Sequence, residues 1–74
     1  MWINIRGPNN IKRQYAYKIK TNTPLLNLMK EYCYQIGFSM SDVSFQFDGQ
    51  PIRTTDKPED FGMEVGDLID VFQI

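Results

Sequence analysis

The side chains that could do chemistry in this chain are few, and histidine is not among them. Histidine is the commonest general base and the commonest metal ligand, so its absence from the 74 residues argues against an acid–base enzyme and an imidazole metal site. Cys33 is the only cysteine, and neither a second thiol nor an imidazole can lower its pKa. We therefore expect an inert thiol, no catalytic residue, no cofactor and no metal.

Carboxylates are concentrated late in the chain, where an acidic site would have to form. Their irregular spacing matches no calcium-binding loop. Gly62 and Gly66 also fit no phosphate-binding pattern. A solvated acidic surface is the simplest interpretation, and weak binding of a hard cation is the alternative. The residues are Asp56, Glu59, Asp60, Glu64, Asp67 and Asp70.

The first elements that could position a site are two strands. Ile3 and Ile5 alternate with polar neighbours and lead to a turn predicted over residues 7–10, Gly-Pro-Asn-Asn. The stretch QYAYKIK then alternates again, which favours a hairpin. One face of this second strand carries Tyr15, Tyr17 and Ile19, and the other carries Ala16, Lys18 and Lys20.

The apolar period then changes to that of a helix. Thr23 is predicted as the N-cap and Pro24 as the first helical residue, because the missing N–H of proline would be unpaired there anyway. Gly37 is predicted as the C-terminal cap. The apolar residues between them recur as one buried stripe. The stripe consists of Leu25, Leu28, Met29, Tyr32, Cys33 and Ile36.

The rest of the chain reads as short strands. A strand over residues 43–47 leads to a turn at Asp48 and Gly49, and a short return strand is predicted to begin at Ile52. Pro58 opens a single helical turn, and a last strand closes the chain. The order β-β-α-β-β-β predicts one domain over residues 1–74. Its class is α+β, with one main helix on a mixed four- to five-stranded sheet in the β-grasp arrangement.

Composition narrows the expected partners. A net charge of −1 gives non-specific nucleic-acid binding no support, and no apolar run is long enough for a membrane span. With one cysteine and no visible signal peptide, we expect an intracellular protein, in the nucleus, the cytoplasm or both. We also expect a monomer. In a β-grasp fold the second strand usually lies at the sheet edge beside the helix, where it can pair with an extended peptide. The alternative is that its tyrosines merely complete the core.

Several motifs together resemble the SUMO family of ubiquitin-like proteins over essentially the whole chain. They are YKIK at 17–20, LLNLMKEYCYQIG at 25–37, VSFQFDGQPI at 43–52 and KPEDFGMEVGDLIDVFQ at 57–73. The resemblance implies a ubiquitin-like β-grasp fold. It also implies a groove that binds SUMO-interaction motifs, which are short hydrophobic peptides. The groove positions that carry over are Tyr15, Tyr17, Lys18, Ile19, Lys20, Leu28 and Tyr32.

A second surface implied by the resemblance binds the SUMO-conjugating E2 non-covalently. The matching positions are Asp48, Gly49, Gln50, Glu64 and Asp67. SUMO E3 ligases are a further implied partner class, and DNA repair in the nucleus is the implied setting.

The chain departs from the family pattern at two helix positions and at its end. Asn27 and Gln35 stand where basic residues usually flank the groove, so we expect weak capture of acidic motifs. The chain stops at Ile74, before the position of the diglycine tail of a modifier.

Three hypotheses therefore stay open. The favoured one is a tail-less, E2-binding domain like those of the genome-maintenance scaffolds with tandem SUMO-like domains. The others are a modifier that is conjugated to substrate lysines and a plain structural β-grasp domain.

Overall fold

The computed structural model describes residues 1–8 and 14–74. Over these residues the strands and the helix follow the predicted order, and two short 3₁₀ turns lie between them. The predicted turn at 7–10 lies partly outside the described residues. The elements are β1 (Trp2–Arg6), β2 (Gln14–Lys18), α1 (Leu26–Ile36), β3 (Val43–Phe47), β4 (Gln50–Pro51) and β5 (Leu68–Gln73), with the 3₁₀ turns at Met40–Asp42 and Pro58–Phe61.

The strands form one mixed five-stranded sheet in the order β2-β1-β5-β3-β4. β1 and β5 are parallel, and the other pairs are antiparallel. The register places Ile5 opposite Ile69, and both side chains are buried. Because alternate residues of a strand point to opposite faces, one face of the sheet is apolar and packs against α1. This arrangement is the predicted α+β, β-grasp fold.

The apolar stripe of α1 is confirmed. Leu28, Met29, Tyr32 and Cys33 are buried, and Ile36 is partly buried against the same core. Gly37 ends the helix at φ 77°, and its N–H donates to the carbonyl of Cys33. A left-handed residue at this position favours glycine because a Cβ would be strained there. Helical periodicity and the C-cap were therefore correctly predicted from the sequence.

The predicted start of the helix was wrong. The helix begins at Leu26 with Leu25 as the N-cap, so Thr23 and Pro24 lie before it. The Thr23 hydroxyl lies 3.4 Å from the side-chain oxygen of Asn22 and caps no helical N–H. The N–H of Leu25 instead donates to the carbonyl of Asp56, at 2.9 Å. A loop distant in sequence thus satisfies a backbone group that a local side chain usually satisfies.

The β3–β4 hairpin has the predicted turn but a shifted return strand. Asp48 and Gly49 both have left-handed backbone, at φ 51° and 79°, as a tight two-residue hairpin turn requires. The return strand is Gln50–Pro51 and ends before Ile52, which was predicted to begin it. Proline is tolerated here because β4 is an edge strand. Ile52 still donates its N–H to the carbonyl of Phe45, at 2.8 Å.

The loop before β5 adds the last part of the core. The predicted helical turn at Pro58 is present, and Met63 is buried. Phe61 is partly buried, with its ring centroid 6.1 Å from that of Phe47. No helix in the described parts of the chain is long and apolar enough to cross a membrane.

Candidate functional site

The first candidate site is a groove between β2 and the start of α1. β2 is an edge strand whose sheet neighbour is β1, so its other edge faces the groove. The groove encloses about 340 Å³. Its lining residues come from β2, from the segment that follows it and from the first turns of the helix. They are Tyr17, Lys18, Ile19, Lys20, Thr23, Pro24, Leu25, Asn27, Leu28 and Glu31.

Tyr15 and Tyr32, two of the seven residues predicted for the groove, do not line it. Tyr32 is fully buried, and its ring packs edge-on at 5.9 Å from Tyr15, 6.3 Å from Tyr17 and 6.0 Å from Phe45, measured between centroids. These rings form an aromatic cluster behind the groove. This cluster stabilises the fold, because edge-to-face aromatic pairs add stability beyond the area that they bury. The groove therefore lies nearer the start of the helix than predicted.

The charges around the groove are mixed. Lys18 and Lys20 lie along the β2 side, whereas Glu31 lies on the helix side. Burial raises the pKa of the Tyr17 hydroxyl, and the negative charge of Glu31 raises it further. That hydroxyl also donates to Gln35 Oε1, at 3.1 Å. Sequence reasoning missed Glu31, although its position three residues after Leu28 puts both on one helix face.

The second candidate site, here called the acidic hollow, lies at the other side of the sheet, between the β3–β4 turn and β5. It encloses about 430 Å³ and is lined by acidic and apolar residues. Asp48, Glu64 and Asp67, predicted from separate segments, meet here. Gly49 and Gln50 adjoin Asp48 at the turn and do not line the hollow. The remaining lining residues are Phe47, Phe61, Gly62, Leu68 and Asp70.

Strand pairing explains why these carboxylates meet. β3 runs antiparallel to β5 with Gln46 opposite Asp70, so the turn at Asp48 comes beside the start of β5. Asp67 fixes the preceding loop, because its Oδ2 accepts the N–H of Glu64 at 2.8 Å. Arg6 offsets the charge of Asp70 through an ion pair of 2.7 Å. Asp48 and Glu64 are exposed.

The comparisons with known proteins concern the family and the fold of the chain. The family model described as "Ubiquitin-2 like Rad60 SUMO-like" matches residues 1–73. The chain belongs to this SUMO-like family. Among its relatives, small ubiquitin-related modifier 2 of Homo sapiens and of Gallus gallus are each 56% identical over 71 residues, covering 96% of this chain and 75% of theirs. Small ubiquitin-related modifier 3 of Homo sapiens is also 56% identical and is covered over 69% of its length.

The SUMO-like chain is also similar in fold to a solved ubiquitin. The structure of Caldiarchaeum subterraneum ubiquitin matches with a TM-score of 0.88, over 100% of this chain and 92% of that one. The sequence identity is 15%, so this likeness concerns the fold alone. The ubiquitin-like β-grasp fold is thus shown independently of the sequence motifs.

Outside the two candidate sites, one thiol and two carboxylates of the SUMO-like chain are either buried or hydrogen-bonded to the backbone. Burial raises the pKa of the Cys33 thiol, which disfavours the reactive thiolate. Asp56 and Asp60, like Asp67, accept a backbone N–H three residues before them. Within residues 1–8 and 14–74, no cluster of three or more histidine, cysteine, aspartate and glutamate residues could hold a metal ion.

Proposed function

We propose that this SUMO-like chain is a non-catalytic interaction module that binds the SUMO-conjugating E2 non-covalently through the acidic hollow. The observation that carries the proposal is the convergence of Asp48, Glu64 and Asp67 on one concavity. Gly49 and Gln50 would extend the contact along the adjoining turn. The family membership makes a partner within the SUMO pathway the first one to test.

The chemistry of the acidic hollow favours a basic partner. Several carboxylates around a partly apolar floor offer a negative potential together with area that can be buried. Gly49 has no side chain, so the backbone of a partner could approach the turn closely. Interfaces of this type owe specificity and association rate to the charges and owe much of their affinity to the buried apolar contacts.

Asp48→Arg should abolish E2 binding while leaving the fold intact. A reversed charge in a complementary interface costs several kcal/mol. The measurement is an NMR titration of the ¹⁵N-labelled chain with the E2, with Lys20→Glu in the groove as the matched control. Since Asp48 has positive φ, Glu64→Arg serves as a second variant without that backbone constraint. Peak shifts confined to Tyr17–Lys20 would contradict the proposal.

A second candidate function is that of a conjugated modifier, which the names of the relatives, small ubiquitin-related modifiers 2 and 3, favour. In that case a carboxy-terminal diglycine would be activated and joined to substrate lysines. The test incubates the full natural protein with the SUMO-activating enzyme, the E2 and ATP. A thioester with the E2 that a reducing agent releases would support the modifier. Its absence, alongside non-covalent E2 binding, would support the interaction module.

We further propose the groove as a weak site for SUMO-interaction-motif peptides, with SUMO E3 ligases as further partners and the nucleus or cytoplasm as the location. The open edge of β2 and the apolar residues Ile19 and Leu28 support peptide binding. A chain that binds neither the E2 nor such a peptide would be a plain structural domain.

A further inference from the structure

Trp2 is the only tryptophan of the chain, and 53% of it is exposed. It begins β1 and lies on the sheet face opposite the core, because Ile3 and Ile5 point inward and are fully buried. Among the described residues, Trp2 belongs neither to the buried core nor to the partly buried side chains packed against it. Large exposed aromatic side chains are a typical feature of binding surfaces.

The exposed indole lies next to the loop that supplies the acidic hollow. The N–H of Gly66 donates to the carbonyl of Trp2 at 2.8 Å, and the N–H of Asn4 donates to the carbonyl of Asp67 at 2.9 Å. Residues 65–67 therefore run beside the start of β1 at about one strand spacing, near 4.8 Å. Val65, which is 71% exposed, adds a second apolar side chain to this loop.

We infer that Trp2 and Val65 form an apolar anchor that extends the acidic hollow, and that the basic partner surface packs onto both. This inference rests on the proposed function. Glu64 and Asp67 line the hollow and lie one and two residues from Val65 in the chain, so the negative charge near the anchor matches a basic partner. Lys18 lies directly opposite Trp2 on β2 and bounds the anchor on the other side. A basic partner must therefore approach from the β5 side and can place a cationic side chain over the indole.

The backbone around Trp2 makes the anchor rigid before binding. On one side, Trp2 pairs with Lys18 of β2. On the other side, its carbonyl accepts a hydrogen bond from the N–H of Gly66 in the loop. A side chain on a fixed backbone loses less conformational entropy on binding than one on a mobile loop. Tryptophans that become buried in an interface on binding are among the residues that most often dominate its affinity.

The test measures the affinity of the E2 for the unmodified chain and for Trp2→Ala, Val65→Ser and Tyr34→Ala. Tyr34 is the matched control, because it is an aromatic residue that is 90% exposed, on α1. We expect Trp2→Ala to weaken binding at least ten-fold, Val65→Ser to weaken it two- to five-fold, and Tyr34→Ala to leave it unchanged. Val65→Ser keeps the test valid should Trp2→Ala unfold, since Val65 lies outside the strands.

The single indole N–H gives a direct second readout. In the ¹⁵N-labelled chain one indole cross-peak should shift as unlabelled E2 is added. If the E2 binds but that peak stays in place and the two anchor variants bind like the unmodified chain, the anchor is wrong and the proposed function stands. If the unmodified chain does not bind the E2, the proposed function fails, and the anchor for a basic partner fails with it.

Discussion

Cys33 lies on the buried face of α1, where its thiol is packed rather than accessible. Desolvation raises its pKa and leaves little of the thiolate that reacts with electrophiles. We expect thiol reagents to label the native protein slowly and the urea-unfolded protein rapidly. An Ellman assay with and without denaturant measures both rates. Rapid labelling of the native chain would contradict the burial of this residue.

Tyr32 shows a different residue-scale problem, because its hydroxyl is buried. No hydrogen-bond partner of this hydroxyl lies in the part of the chain that the structure describes. A buried polar group without a partner costs about 1–3 kcal/mol. The edge-to-face contacts of its ring with Tyr15, Tyr17 and Phe45 offset this cost.

Leu28 tests the packing at the scale of the helix. It is 7% exposed on the buried stripe, so Leu28→Ala should lower the free energy of unfolding by about 2–5 kcal/mol through lost burial and the cavity left behind. Urea denaturation measures this change, and Tyr34→Ala on the exposed face should cost far less. Equal losses in the two variants would mean that the core does not lie on the assigned side of α1.

The groove between two elements determines what kind of peptide it can accept. Asn27 and Glu31 lie on its helix side, so acidic flanks of a bound peptide would meet no cation there and one like charge. We expect weak binding of an acidic-flanked SUMO-interaction-motif peptide. Glu31→Lys should make the binding free energy of this peptide more favourable by about 0.5–1 kcal/mol, and added salt should reduce the gain.

Isothermal titration at two salt concentrations measures both effects in the groove. Lys30→Glu is the charge control, because Lys30 is exposed and does not line the groove. Tight, salt-sensitive binding by the unmodified chain would show that Lys18 and Lys20 suffice.

The stability of the whole molecule should fall in alkali, and Tyr32 should account for part of the loss. Burial raises the pKa of Tyr32 to about 12 from its ordinary value of 10.0. Between these values the unfolded chain releases the proton and the folded chain retains it, so the free energy of unfolding falls as pH rises. Below pH 10 this contribution is constant. The slope from one such tyrosine is about 1.4 kcal/mol per pH unit.

Tyr32→Phe should therefore flatten the alkaline part of the stability curve, which urea denaturation at pH 8 to 11.5 measures. Tyr17 and Cys33 also have raised pKa values, so some slope will remain in the variant. Tyr34→Phe is the control, since Tyr34 is exposed on the helix surface. An identical slope for Tyr32→Phe and the unmodified chain would contradict the assignment.

At the same scale, the sheet order keeps the two candidate sites apart. β2 is one edge of the sheet, and the β3–β4 hairpin is the other. The groove is therefore distant in the sheet from the turn at Asp48. This separation is why Lys20→Glu can serve as the control for Asp48→Arg.

Local patterns determined a large part of the fold from the sequence alone. The stripe that includes Leu28 and Tyr32, the cap at Gly37 and the turn at Asp48 were all predicted correctly. Each depends on residues within one helix or one hairpin, where periodicity of side chains and permitted φ values act over a few positions. The SUMO-like motifs were recognisable for a related reason, because they are contiguous in the chain.

Only the tertiary structure decided the features that join distant segments. The carbonyl of Asp56 accepts the N–H of Leu25 just before the helix begins, a contact that no local pattern could indicate. The pairing of β3 with β5 brings Asp48 beside Asp67, and the packing of α1 beside β2 brings Glu31 to the groove. Such contacts depend on register and layer packing, which form between residues far apart in sequence. Both candidate sites are made of these contacts, so local patterns could not give their shapes or the place of Glu31, although the family resemblance had already named Asp48, Glu64 and Asp67.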